Sequence, residues 1–343
     1  MFIETSLRET PLADVPRQAR EAEQLGFDGL TASEIRRDPF LTVGLMATST
    51  ERIQLATGVA IAFPRSPMVV AYLSRNLQEL SGGRFALGLG TQVRAHVERR
   101  FSSPWGAPGP HMREYILALR AIWDTWQNGS PLDFRGEYYS FTLMTPEFNL
   151  GPTPHPVPIH LAAVNPYNIR LAATLCEALR VHSFCTPEYL RDVLWPNVRA
   201  AAEKAGRSLE GFEMIGGGFI ATGPTEEAVQ AGREKARKRV AFYGSTPSYR
   251  PVFEHHGWNE LNPALRRLIA EQRWGDMAGL IDDEVLDTFC VAGTYDVIAQ
   301  RVHDRLGGLV DRIAVAFPEA SDTDRDGLVG ALRDLKQIPG ARR

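Results

Sequence analysis

The stretch Ser81-Gly82-Gly83-Arg84-Phe85-Ala86-Leu87-Gly88-Leu89-Gly90-Thr91-Gln92 decides how the rest of the chain is read. Its paired glycines supply the backbone freedom that ends a helix. A strand-length apolar run, Phe85 to Leu89, follows. Gly90-Thr91 then lets the chain leave the strand with little side-chain bulk, so a flat ligand can approach the backbone closely. A buried strand whose glycines only save packing space would carry the same residues. A dinucleotide fingerprint does not fit, because after Gly88 and Gly90 the third glycine is replaced by Val93 and no helix is expected directly after it.

Working outward, short apolar strands alternate with helical patterns. Expected strands run over 2–7, Phe27 to Ala32, Ile53 to Ala62, the opening stretch, Ile159 to Ala163, Ala178 to Val181, Phe212 to Ala221 and Arg312 to Phe317. Helical spacing marks 11–25, Phe40 to Ser49, Met68 to Leu80, Met112 to Gln127, a segment up to about Leu175, Pro187 to Ala205, Thr225 to Tyr243, Thr294 to Leu306 and the C-terminal end. Two longer excursions interrupt the alternation. One, 129–158, is rich in Pro, Gly and aromatics; the other, 245–290, holds helical pieces at 262–271 and 275–281. The first is long for a loop in a compact domain and points to an excursion over the barrel mouth or a dimer element. Eight strands each followed by helix, without a low-complexity linker, predict an α/β fold: a (β/α)8 TIM barrel formed by 1–343 as one domain, with insertions after helix four and before strand eight. Two smaller α/β domains divided near 129–158 are the alternative.

The 343 residues are 44% hydrophobic with a formal net charge of −3. That gives ample core and no bulk electrostatics for nucleic acid or a membrane surface. Three cysteines, Cys176, Cys185 and Cys290, show no Cys-x-x-Cys spacing, and their odd number argues against a disulfide framework. No segment approaches membrane-spanning length, so a cytoplasmic protein is expected.

In a barrel, reacting groups sit at the C-terminal ends of strands. Here those are Glu34 and Asp38 after strand two, Gly58-Val59-Ala60 in strand three, Thr91, Gln92, Arg94 and His96 after strand four, Ala163-Val164-Asn165 after strand five, and His182-Ser183 after strand six. A glycosidase needs two facing carboxylates, yet strand four ends in Thr91-Gln92 and strand seven in Thr222-Gly223. Metallohydrolases need clustered His and carboxylate ligands, whereas the only adjacent pair, His255-His256, lies in an excursion. A Schiff-base aldolase needs a strand-end lysine, but none occurs before Lys204, and no Gly-x-Ser-x-Gly elbow appears. What remains is a mouth of small residues and a few polar side chains, suited to an organic cofactor that carries the chemistry itself.

Leu25-Gly26-Phe27-Asp28-Gly29, the segments 51–59 and 80–91, and Pro156-Val157-Pro158-Ile159-His160-Leu161-Ala162-Ala163 together resemble the bacterial luciferase-like monooxygenase superfamily. Asp38-Pro39-Phe40, Arg65-Ser66-Pro67-Met68, the run 91–101 and Met112-Arg113-Glu114-Tyr115 are similar to its branch that uses coenzyme F420, a 5-deazaflavin. The resemblance covers roughly residues 1–320. It implies a cofactor ring over strands two to four, backed by a non-prolyl cis peptide at Gly58-Val59 or Val59-Ala60. Gly90, Thr91 and His96 match positions that touch the ring or its ribityl chain. Ala162, Ala163, Val164 and Asn165 fall where the family offers backbone N–H groups to the cofactor phosphate, and His182 and Ser183 where strand six joins the same pocket. Glu34 and Asp38 are the acids placed to orient the ring or relay a proton, with His96 the third candidate for a catalytic role. Arg94, Arg99 and Arg100 are placed to meet an anionic tail. Two departures stand out: Glu177-Ala178 replace Asp-Gly, and Val164-Asn165 replace Gly-Gly.

The resemblance therefore implies an F420-dependent oxidoreductase moving a hydride to or from a small organic substrate. An FMN-dependent monooxygenase working with a flavin reductase is the alternative within the superfamily, and a non-catalytic ligand-binding barrel the alternative of another class. Trp105, Tyr138, Tyr139, Phe141 and Trp258 are read as an apolar lid, and the aromatic 129–158 segment as a homodimer element.

Overall fold

The computed structural model describes residues 1–316 and 322–341. Eight strands form its wall: β1 (Phe2–Ser6), β2 (Gly29–Ala32), β3 (Gln54–Thr57), β4 (Phe85–Gly90), β5 (Ile159–Ala163), β6 (Ala178–Val181), β7 (Glu213–Ile215) and β8 (Arg312–Ala314). Each pairs in parallel with the next. Phe2 opposite Arg312 joins β1 to β8 and closes the ring, as the alternation in the sequence requires. Phe317, the expected end of strand eight, lies outside the described residues.

Side-chain alternation along these strands sorts the molecule into two layers. Ile3, Leu30, Leu55, Leu87, Leu161, Leu179, Met214 and Ile313 are buried between sheet and helices. Full burial of such a side chain contributes about 1.5–3 kcal/mol, so this outer layer carries the fold. The inside of the ring is polar instead. Glu4 of β1 pairs with Arg180 of β6, and Arg312 of β8 reaches Gln54 of β3 at 2.9 Å. These strands are not neighbours, so both contacts cross the barrel interior.

The helices start where the sequence supplies caps. Asp38, Ser66, Asn165, Thr225 and Asp282 each accept a backbone N–H in the first turn of the helix they precede, satisfying donors that a helix start leaves open. No helix among the described residues is long and apolar enough to cross a membrane.

Two expected strands differ. Strand three is broken after Thr57, where the Gly58–Val59 peptide is cis, and resumes at Ala60–Ile61 beside Leu89 and Gly90. The expected strand over Phe212 to Ala221 is two elements. Gly216, Gly217 and Gly218 have φ of +122°, +133° and +103°, a region closed to most side chains. They turn the chain out of the barrel. Phe219–Gly223 then pairs with Cys290–Thr294 in a separate two-stranded parallel sheet, and that second strand was not expected.

Candidate active site

The C-terminal ends of the strands enclose a cavity of about 670 Å³, on the face where such barrels do chemistry. One wall is built from the ends of β3, β4 and β5 and consists of Gly58, Val59, Gly90, Thr91, Ala162, Ala163, Val164 and Asn165. It is poor in side chains. A Cβ on Gly90 would stand 2.7 Å from Val59 Cγ2 and 3.9 Å from Ala162 Cβ, so glycine there lets the β3 segment lie flat against β4. Ser33 Oγ donates to the Gly58 carbonyl at 2.8 Å, and Gly58 N–H donates to the Ala32 carbonyl at 2.8 Å. Helix Pro166–Leu175 begins at the same wall. Asn165 Oδ1 accepts the Asn168 N–H at 2.9 Å. Asn168 lines the cavity at 2% exposure, and its Oδ1 has no partner among the described residues.

The opposite wall is formed by His182 and Ser183 after β6, by Ile215, the three glycines and Ile220, and by Ser248 and Tyr249 from the second insertion. Glu4 and Arg180 line the cavity between the walls. Their bidentate pair is nearly sealed, with side-chain exposures of 6% and 13%. Buried His160 lies on β5 next to β6. Burial, with the Arg180 and Arg312 guanidiniums, holds its imidazole well below the ordinary histidine range, so the ring is neutral.

Other expected residues stand elsewhere. Glu34 and Asp38 lie behind the β3 wall and do not line the cavity. Glu34 accepts the Ile61 N–H at 2.7 Å and grips Arg65 at 2.8 and 2.9 Å. Asp38 caps Phe40 and Leu41 and takes Arg65 at 2.8 Å. Both carboxylates thus tie the β2 loop to the segment that follows β3. Ala60 is buried outside the lining, and His96 is exposed on the short helix Arg94–Arg99. Arg94 does reach the cavity's edge, where it pairs with Glu98 at 3.0 Å, and Arg100 donates to the Ile35 carbonyl at 2.8 Å. Glu177 sits at the N-terminal end of β6, where it pairs with Arg120 at 2.6 Å and accepts the Ile159 N–H at 2.7 Å. The departure at that position is therefore remote from the mouth. Of the aromatics read as a lid, Trp105 lines the cavity. Tyr138 and Tyr139 pack on His111, and Trp258 packs on Phe253 and His256.

The sequence reading missed Glu4, Arg180, Tyr249 and the role of Gly216–Gly218. Two signals were available: charged residues at alternate positions inside otherwise apolar strands, and a run of three glycines.

His182 gives the site a pH signature. Its Nδ1 accepts the Phe184 N–H at 2.9 Å, and burial brings the imidazole down to about 4. An unfolded histidine titrates near 6.5. Between those values the unfolded chain binds more protons, so this contribution is complete above about pH 6.5 and is lost as pH falls toward 4. A shift of that size corresponds to about 3 kcal/mol. Melting temperature measured from pH 7 to pH 4 is expected to fall less steeply in His182→Gln than in the wild type. Identical slopes would remove His182 as a source.

A family model described as luciferase-like monooxygenase matches residues 3–312. An uncharacterized protein of Mycobacterium tuberculosis is 42% identical over 95% of each chain. The 5,10-methylenetetrahydromethanopterin reductase of Archaeoglobus fulgidus is 28% identical over 88% of each. Among solved structures, the coenzyme F420 dependent tetrahydromethanopterin reductase of Methanopyrus kandleri superposes with a TM-score of 0.76 at 19% identity, covering 98% of each chain. The chain belongs to the luciferase-like monooxygenase family.

Proposed function

We propose that the protein is an oxidoreductase that holds coenzyme F420 against the β3–β5 wall and moves a hydride between it and a small organic substrate. The observation that carries this reading is the side-chain-poor wall of Gly58, Val59, Gly90, Thr91, Ala162 and Ala163, which leaves a face for a planar ring. Backbone N–H groups around Val164 and Asn165, at the start of helix Pro166–Leu175, would meet the cofactor's phosphate. The similarity of Asp38-Pro39-Phe40, Arg65-Ser66-Pro67-Met68 and the run 91–101 to the F420-using branch favours F420 over FMN. A bound deazaflavin supplies hydride chemistry and reacts poorly with oxygen. The chain's own residues bind and orient, and the enclosing walls exclude water. Through Arg65, Glu34 and Asp38 keep the outer end of β3 in place.

Titrating the purified protein with F420 is expected to quench or shift the deazaflavin's fluorescence. Ala162→Phe, which puts a ring into the slot, is expected to weaken that binding by about a hundredfold with little change in melting temperature. Tight FMN binding without F420 binding would transfer the reading to an FMN-dependent monooxygenase. Binding of neither would leave a non-catalytic barrel.

The quaternary proposal is a homodimer. Leu41, Val69, Leu143 and Phe148 are exposed on helices Pro39–Ala47 and Pro67–Leu80 and on the first insertion. Tyr72 Oη donates to the Phe148 carbonyl at 2.7 Å, joining insertion and helix. Exposed large apolar side chains on these linked elements support an interaction surface, and the occupant proposed for it is a second copy. Light scattering is expected to give twice the chain mass for the wild type and the chain mass for Val69→Lys/Phe148→Lys. Three buried thiols without disulfides support a cytoplasmic setting.

A further inference from the structure

The cavity half facing the β3–β5 wall has a chemistry of its own. Ile215, Ile220 and Leu306 make it mostly apolar. The buried guanidinium in the lining, Arg180, is already paired with Glu4, while Arg94 lies at the rim, 70% exposed and beside Glu98. A carboxylate or phosphate placed deep in the cavity would therefore have to displace Glu4, at the cost of desolvation. The polar groups left are neutral, and one of them is locked. His182 Nδ1 is taken by the Phe184 N–H. The ring is held edge-on to Tyr243 at 4.3 Å and lies 4.7 Å from Tyr249 between centroids. In the neutral ring this fixes the proton on Nε2, and Nε2 makes no hydrogen bond among the described residues.

We infer that His182 is a hydrogen-bond donor, through Nε2–H, to the carbonyl oxygen of an uncharged and otherwise apolar substrate, and that it positions that oxygen on the β6 side of the cavity. Burial keeps the imidazole neutral at physiological pH. The ring donates without releasing its proton, as a neutral histidine does when it polarises a carbonyl. What the orientation achieves, a carbon presented to the opposite wall, rests on the oxidoreductase reading. The donor assignment itself rests on the His182 geometry.

The test uses the full chain labelled with 15N-histidine at pH 7, with cyclohexanone as probe and methylenecyclohexane as a near-isostere lacking the acceptor oxygen, each added with and without F420. The expected result is an Nε2–H tautomer whose Nε2 resonance moves with the ketone only, and ketone binding about tenfold tighter than alkene binding. That preference is expected to disappear in His182→Phe and to return in His182→Gln. An Nδ1–H tautomer, an imidazolium at pH 7, no ketone preference in the wild type, or a preference that survives His182→Phe would each overturn the assignment. If the wild type fails to bind F420 while the ketone results hold, the cofactor reading falls and the donor stands.

Discussion

Gly88→Ala is expected to abolish accumulation of the folded protein. A methyl group at this position would stand 1.8 Å from the Thr57 carbonyl oxygen and 3.0 Å from its carbon. Both are backbone atoms of β3, so no rotamer change relieves the overlap. The contact is also pinned, because the buried Thr57 hydroxyl accepts the Gly88 N–H at 2.8 Å and donates to the Gly88 carbonyl at 2.7 Å. Relief would require moving β3 away from β4, which opens the closed ring and shifts the wall that Gly58 and Val59 form. Ordinary overpacking costs about 1–3 kcal/mol; a backbone collision should exceed about 4–5 kcal/mol, a large share of the roughly 5–15 kcal/mol that stabilises a domain. Gly129→Ala is the matched control. Its φ is +71° with nothing within 4 Å, so only the left-handed conformation is penalised, by about 1–2 kcal/mol. Thr57→Val, which leaves the buried Gly88 N–H without its partner, should fall between them at about 1–3 kcal/mol. Soluble yield and thermal melts read all three. A Gly88→Ala protein melting within a few degrees of wild type would show that β3 can yield there.

Much of this architecture was legible because the outer apolar layer writes itself into the sequence. Ile3, Leu30, Leu55, Leu87 and Leu161 each sit in a short apolar run between helical patterns, and eight such runs count out the ring. The Gly58, Gly90 and Ala162 wall was legible for the same reason, since small residues at strand ends are visible without knowing what they face. Long-range pairing was not. Nothing around Glu34 announces that Arg65, thirty-one positions on, will take both its oxygens, and the carboxylate that looked free for chemistry turned out to be occupied. Likewise Ala178-Leu179-Arg180-Val181 reads as a strand with an odd charge until Glu4, from the other end of the chain, comes across the barrel to meet it. Strand seven failed for a local reason: averaging apolar character over Phe212 to Ala221 hid three consecutive glycines, each with a φ that a strand cannot use.

That pair inside the barrel makes the second large prediction. Arg180→Met is expected to cost about 3–5 kcal/mol, the usual penalty for stranding one partner of a buried ion pair. At this chain length that lowers the melting temperature by roughly 4–7 °C. The loss comes from Glu4, whose side chain is 6% exposed and would keep its charge without the guanidinium that pairs with it. Adding Glu4→Gln to Arg180→Met should therefore recover most of the stability, because the stranded charge disappears. If the loss were only that of the arginine's packing, the second change would recover nothing. The same variants separate stability from the site. Glu4 and Arg180 line the cavity and present a neutral surface between its walls, whereas Arg180→Met alone leaves a carboxylate there. F420, the proposed cofactor, carries a phosphate, and repulsion of an anion by that carboxylate should weaken its binding beyond what the lost stability explains. Fluorescence titration well below the melting transition is expected to show weaker binding in Arg180→Met and near-normal binding in the double variant. Unchanged binding in the single variant would mean that the paired charges serve the barrel alone and not the ligand above them.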